Sequence, residues 1–240
     1  MRQMATLRQT TSSPDPKLRI IITGASFGIG ACCARTGGRP DALFNNGAYA
    51  QAGAVDDLSV AALRQQFEVN FFGWHDLTRR LLHVMRRQGH GRIAHCSSNL
   101  GLVPVRSRGA YSASRHALEA LMFCQRQQLE GSSVQVSLIE PGPVKSKIAG
   151  NGLPWFPANV DRENSVDRVE YEAQLERLRA GGGRSVPKPG PEVIHKVLRH
   201  AFLSRRPRPH YVLTVPARIG PAFKRVLPAS MLYRLMAKRA

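Results

Sequence analysis

Acidic residues are scarce in this chain. Asp and Glu total 16 against 35 Lys and Arg, a formal charge of +19, and the first 40 residues carry one acid, Asp15. Such a balance favours acidic partners: nucleotide phosphates, anionic lipid or nucleic acid. The basic residues are scattered rather than blocked, however, and no nucleic-acid motif accompanies them, so nucleic acid is not expected. Cysteine is sparse as well. Cys32, Cys33, Cys96 and Cys124 show no C-x-x-C spacing and two are adjacent, which argues against a disulfide framework and for free, mostly buried thiols in a reducing cytoplasm. No apolar run approaches the length of a membrane span. The first 17 residues lack the apolar centre of a signal peptide; they read as a disordered leader, with Met4 as an alternative start. The eight histidines have no zinc-ligand spacing, so metal is not indicated. No internal repeat is found.

What the chain does contain is a regular alternation. Its 240 residues suit one domain, 18–240, with a well-buried core. "LRIIITG" (18–24) is a short β-branched run, hence a buried strand, and "DALFNNGA" (41–48) reads as a second. Between them, "ASFGIGACCARTGGRP" has room only for a short helix. Residues 56–91 carry a long helical pattern with Ser59 as N-cap and Gly89 and Gly91 as stops. A strand at 92–98, a helix from Tyr111 to about Glu130 stopped by Gly131, and a strand at 134–142 follow. Residues 143–190 are Pro- and Gly-rich at both ends around a charged helical piece near 165–180. A helix at 191–204, with Pro191 suited to its first turn, and a strand at 210–216 close the pattern. Alternating strands and helices predict a parallel α/β sheet.

The first strand runs into "TGASFGIG", where glycines permit a tight turn and let backbone N–H groups approach a pyrophosphate at a helix N-terminus. A glycine turn alone is weak. Several further motifs join it in order, and together they resemble the classical short-chain dehydrogenase/reductase family from Leu18 to the C-terminus, within it a bacterial subgroup of oxidoreductases. The resemblance implies a Rossmann-like, doubly wound sheet and a cofactor, NAD or NADP, with the basic charge favouring NADP. It implies cofactor contacts from Thr23, Gly24, Ser26, Phe27, Gly28, Ile29 and Gly30, from Asn45 and Gly47 of "NNGA", and from Pro141, Gly142, Val144 and Ser146 of "PGPVKS". It places Asn70, Ser98, Tyr111 and Arg115 at the four catalytic positions. Tyr111 would be the acid/base, Ser98 would hold the substrate oxygen, and Asn70 would interrupt its helix and hold a water. A small-molecule alcohol or ketone and a dimer or tetramer are the partners implied.

Two departures stand out. Arg115 replaces the family's lysine; it keeps the positive charge that a tyrosine of pKa roughly 10 needs, but cannot readily release a proton. Moreover, only 14 residues separate Gly30 from Asn45, where family members place two further strand–helix units, roughly 45–50 residues at ~30 or more per βαβ unit. The lost stretch would read the adenosine ribose and the adenine, and strand 18–24 becomes an apolar sheet edge. Besides an oxidoreductase, a non-catalytic relative and a basic protein binding nucleic acid or anionic membrane therefore stay in view.

Around these motifs, "IAGNGLPWFPANV" (148–160) reads as a lid for a lipophilic substrate or as a loop packed on the core. The basic tail, 217–240, reads as a helix packed near the substrate entrance or as one lying on an anionic membrane. With half of the cofactor seat missing, dinucleotide binding is expected to be weak; calorimetry of the purified chain with NADPH and NADH checks this, and tight binding of either refutes it.

Overall fold

The structure, a computed structural model, describes residues 18–24, 40–146, 148–179 and 188–237. The leader, the segment 25–39 with Ser26, Phe27, Gly28, Ile29, Gly30, Cys32 and Cys33, and the last three residues lie outside the described residues.

Five parallel strands form one sheet in the order β1 (Ile20–Ile22), β2 (Ala42–Asn45), β3 (Gly91–Cys96), β4 (Val134–Pro141) and β5 (His210–Leu213). Side-chain alternation explains why all but the outermost strands are apolar on both faces. Ile21, Leu43, Ile93, Val136 and Leu138 enter one core cluster, while Ala42, Phe44, Ala94 and Ile139 enter the other. Among the described residues no strand lies beyond β1, which is the expected apolar edge.

The first face is covered by α2 (Gly73–Gln88) and α3 (Gly109–Gln128). On α2, Trp74, Leu77, Leu81 and Met85 recur at helical spacing and are all buried; each such side chain contributes about 1.5–3 kcal/mol when fully buried. The opposite face is covered by α7 (Glu192–Leu203) through Ala201 and Phe202. Strands β2 to β5 step across the sheet in one direction, yet the first two connections cross one face and the third crosses the other. The β4–β5 connection therefore has the opposite hand, an exception to the rule for parallel crossovers.

That connection is long enough to build structure of its own: α4 (Ile148–Gly152), α5 (Trp155–Asn159) and α6 (Arg168–Arg179). A third, small core of Ala52, Phe156, Val160 and Tyr171 holds it down. The Tyr171 hydroxyl accepts from the Ala54 N–H at 2.7 Å and bonds the Asp57 carboxylate.

Several boundaries differ from the sequence reading. The 56–91 pattern is not one helix. Ser59 does cap it, accepting from the Ala62 N–H at 3.1 Å, but α1 (Val60–Phe67) passes into a π-helical turn, Glu68–Phe72, before α2. Gly89, at φ +77°, ends α2; Gly91 is not a stop but the first residue of β3. The last strand ends at Leu213, and the residues that continue its apolar pattern start α8 (Val215–Val226), followed by α9 (Ala229–Ala237). Periodicity cannot separate a short strand from the first turn of a helix. Cys124 is exposed rather than buried, because it falls on the outer side of α3.

Gly91 is required by packing. A Cβ there would lie 2.6 Å from Met85 Sδ and 2.7 Å from Met85 Cβ and Cγ, and Met85 is wholly buried. Gly91→Ala is expected to lower stability by about 1–3 kcal/mol, read as a shift in the urea unfolding midpoint with an unchanged slope.

Candidate active site

The C-terminal ends of β1 to β4 bring the motif residues to one edge of the sheet, where open parallel sheets bind ligands. The Thr23 hydroxyl accepts from the Asn46 and Gly47 N–H groups at 2.9 and 3.2 Å. Gly24 and Gly47 meet backbone to backbone. A Cβ on Gly24 would lie 2.3 Å from Gly47 Cα, and Gly24 also has φ +80°. Both positions thus demand glycine, which accounts for the order of "NNGA" in this chain.

Beyond β2 the chain is held by one stripe of the α1–α2 helical rod. Gln66, Asn70 and Trp74, spaced four apart, all donate to backbone carbonyls: Gln66 and Asn70 to Tyr49 O at 3.1 and 2.9 Å, and the Trp74 indole to Gly47 O at 3.0 Å. Asn70 Oδ1 accepts from the Tyr49 N–H at 3.3 Å, and Gln66 Oε1 from the Gln51 N–H at 2.7 Å. All three side chains are buried. Asn70 sits on the π-helical turn, so the helix is interrupted where the sequence reading places the interruption.

Ser98, just past β3, is buried and caps the short 3₁₀ turn Asn99–Gly101, accepting from the Leu100 N–H at 3.1 Å and donating to Asn99 Oδ1 at 3.2 Å. Tyr111 and Arg115 lie in the first turns of α3 and are buried, Arg115 to 1 % exposure. The Arg115 guanidinium stands 4.7 Å from the Trp74 ring centroid and 5.0 Å from that of Tyr111. This is a double cation–π clamp, each contact contributing up to about 2 kcal/mol when desolvated. Its Nε and Nη1 are buried and, among the described residues, have no hydrogen-bond partner.

The buried cation shapes its neighbours. The His95 pKa is pushed down to about 3 by burial and by Arg115. Neutral His95 Nδ1 accepts from Asn45 Nδ2 at 3.1 Å, which assigns the ring proton to Nε2; the same amide donates to Thr78 Oγ1 at 3.0 Å. Burial lifts the Cys96 thiol to about 11 against the opposing pull of Arg115, so this thiol is not a nucleophile.

Past the end of β4, Pro141 closes the strand, Gly142 N–H donates to Leu213 O at 3.0 Å, and Lys145 N–H donates to Pro189 O at 2.9 Å. Val144 is half-buried and Ser146 exposed. In the 148–160 segment, Phe156 is core. Trp155 is 37 % exposed and stands 5.7 Å, ring to ring, from Tyr49. Asn151 Nδ2 donates to Ala48 O at 3.1 Å, docking α4 on the strand exit.

Sequence reasoning missed Gln51, Gln66 and Trp74. Polar Gln66 and Asn70 four apart on one helical face were the available signal. It also missed an acidic pair, Glu140 buried and Glu119 half-buried. Glu119 on α3 faces Glu140 on β4, and His210 at the start of β5 bonds Glu140 Oε1 through Nδ1 at 2.7 Å; the ligand-type atoms of the three lie within 4.8 Å of one another. These come from three elements far apart in sequence, so no spacing could have announced them.

Parallel α/β topology, a ligand edge at the strand ends and a tyrosine–cation pair one helical turn apart define a dehydrogenase-like architecture. A family model described as short chain dehydrogenase matches residues 37–155. An uncharacterized oxidoreductase, YbbO, of Escherichia coli K12 is 37 % identical over 81 % of this chain, which spans 66 % of that protein, just under two thirds. A probable short-chain type dehydrogenase/reductase, VdlC, of Helicobacter pylori is 31 % identical over 82 % of this chain and 71 % of its own length. The crystal structure of a short chain dehydrogenase/reductase from Burkholderia phymatum in complex with NAD superposes with TM-score 0.66 at 25 % identity, over 82 % of this chain and 71 % of that one. The chain belongs to the short-chain dehydrogenase/reductase family.

The acidic pair makes stability depend on pH. Burial, and then the like charge of Glu140, push Glu119 up to about 7, and the bond to Glu140 raises His210. Both folded values exceed the unfolded ones. Their contribution is therefore fully present below the unfolded pKa and is lost as pH rises through the folded one. Thermal stability is expected to fall as pH rises from about 4.5 through about 7, and Glu119→Gln to flatten that slope, with a higher melting temperature than the parent at pH 8.

Proposed function

We infer that this chain is a nicotinamide-dependent oxidoreductase moving hydride to or from a hydroxyl or carbonyl carbon of a lipophilic small molecule. The observation that carries the reading is the placement of Tyr111 and Arg115 one turn apart on α3, at the ligand edge of the sheet beside Ser98, with the guanidinium 5.0 Å from the phenol ring. A phenol held there can exchange a proton with a substrate oxygen.

Bound nicotinamide would supply or take the hydride. Tyr111 would then give its proton to the substrate oxygen as the carbonyl is reduced, or take it back in the reverse direction. Ser98 would hold that oxygen by turning its single O–H from Asn99 Oδ1 to the substrate, keeping the bond it accepts from the Leu100 N–H. Asn70 would keep its place in the backbone clamp on Tyr49. The half-exposed Trp155 beside Tyr49 supports an apolar substrate wall.

The nicotinamide half of the cofactor fits these residues: the two partnerless Arg115 donors suit ribose hydroxyls, with Pro141, Gly142, Val144 and Ser146 at the carboxamide side. The adenosine half fits poorly, since no described strand lies beyond β1. Thr23, Gly24, Asn45 and Gly47 would line the passage between the halves. The net charge favours NADP over NAD. A homo-oligomer in the cytoplasm is the setting that the family and the free thiols support.

A second reading, a relative that has lost catalysis, is favoured by Arg115 and the short Gly30–Asn45 link. Turnover of NADPH or NADH with lipophilic ketones and alcohols separates the two. The enzyme reading expects measurable turnover, a loss of about 10²-fold or more in Tyr111→Phe, and a gain of roughly tenfold in Arg115→Lys. Absence of turnover in both the parent and Arg115→Lys would establish the non-catalytic reading.

A further inference from the structure

The C-terminal helix pair is built outside in. Along α8, Val215, Ile219, Phe223 and Val226 fall within about 80° of one another at 3.6 residues per turn. This is the spacing of a core-facing stripe, yet all four are exposed, Val215 by 68 % and Val226 by 80 %. The opposite side of the helix is the one that touches the protein. Ala217 is buried and lies where a Cβ on Gly142 would reach it at 3.3 Å, Gly220 lies against Val103, and Lys224 Nζ donates to Leu102 O at 2.8 Å. Small residues and a lysine thus face inward while the large apolar ones face out. The next helix, α9, buries Leu232 and exposes Met231 and Tyr233.

Charge says what covers this face. From residue 193 to the C-terminus the chain has 11 Lys and Arg and no acid. Arg218 and Arg225 border the apolar stripe along one edge, both exposed, and Arg234 is exposed on α9. Lys238 and Arg239 follow in sequence. A second copy of the same face would bring like charges together, and a nucleic-acid groove would not call for an aliphatic stripe. Apolar side chains that can enter the acyl boundary, edged by arginines at headgroup level, suit an anionic bilayer surface.

We propose that α8 and α9 form a peripheral docking surface for anionic phospholipid membranes, with Val215, Ile219, Phe223 and Val226 inserted and Arg218 and Arg225 at the headgroups. The surface does not depend on the redox reading. It would seat the molecule where lipophilic small molecules are concentrated.

Co-sedimentation of the full chain with phosphatidylcholine vesicles, alone or mixed equally with phosphatidylglycerol, tests it. Retention on the mixed vesicles is expected to exceed that on phosphatidylcholine by at least tenfold. Phe223→Ser with Val226→Ser is expected to lower it at least tenfold with an unchanged far-UV spectrum, since both positions are exposed. Arg218→Gln with Arg225→Gln is expected to lower it by about fivefold per arginine. Three outcomes overturn the proposal. One is no retention on either vesicle. Another is retention that the serine pair leaves intact, which would reduce it to scattered charge. The last is a dimer in solution that the serine pair converts to monomer while the vesicles hold nothing.

Discussion

Everything at the ligand edge of this molecule hangs from a stripe of three side chains, Gln66, Asn70 and Trp74, that hydrogen-bond the backbone between Gly47 and Gln51. Segments leaving a buried strand carry peptide groups that must find partners. Here the partners are side chains of the next helix, so the strand exit and the helix are fixed to each other as one body. The π-helical turn at Glu68–Phe72 bends the register by one residue at Asn70, so that its amide meets both the N–H and the C=O of Tyr49. Removing either amide would leave buried polar groups unpaired, each costing about 1–3 kcal/mol.

From Trp74 the constraint passes to Arg115 and from Arg115 to Tyr111. The indole is pinned by Gly47, its face receives the guanidinium, and the guanidinium rests on the phenol. A buried cation with no carboxylate partner among the described residues is costly; here two aromatic faces offset part of that cost. The same charge depresses His95 and holds Cys96 below where burial alone would put it. One buried cation thereby adds to what burial does to His95 and opposes it at Cys96, both at the end of β3.

The two faces of the sheet were legible because period-two alternation is a local property: Leu43 against Ala42 and Phe44, Ile93 against Ala94, Val136 and Leu138 against Ile139. The Ser59 cap and the Gly89 stop were legible for the same reason, whereas α3 ends at Gln128, before the Gly131 that the sequence offered as its stop. What misled was apolar continuity across a boundary. "HYVLTVP" runs on as one pattern, yet β5 stops at Leu213 and Val215 already belongs to α8. The site was legible as motifs and not as a network. Nothing local links Gln66 to Tyr49, or Glu119 to Glu140 and His210, because each contact closes only when distant elements pack.

The sequence by itself determined the alternation of strands and helices, the motif order that places the chain in its family, the exchange of lysine for Arg115 and the short link between Gly30 and Asn45. Each is written in residue types and spacing, which are one-dimensional. Only the tertiary structure decided that Arg115 is buried between two rings, that the last crossover takes the opposite face, and that α8 turns its apolar stripe outward. A helical stripe specifies that residues share a side; which side meets the protein is set by what it packs against, and here Ala217, Gly220 and Lys224 made the closer fit.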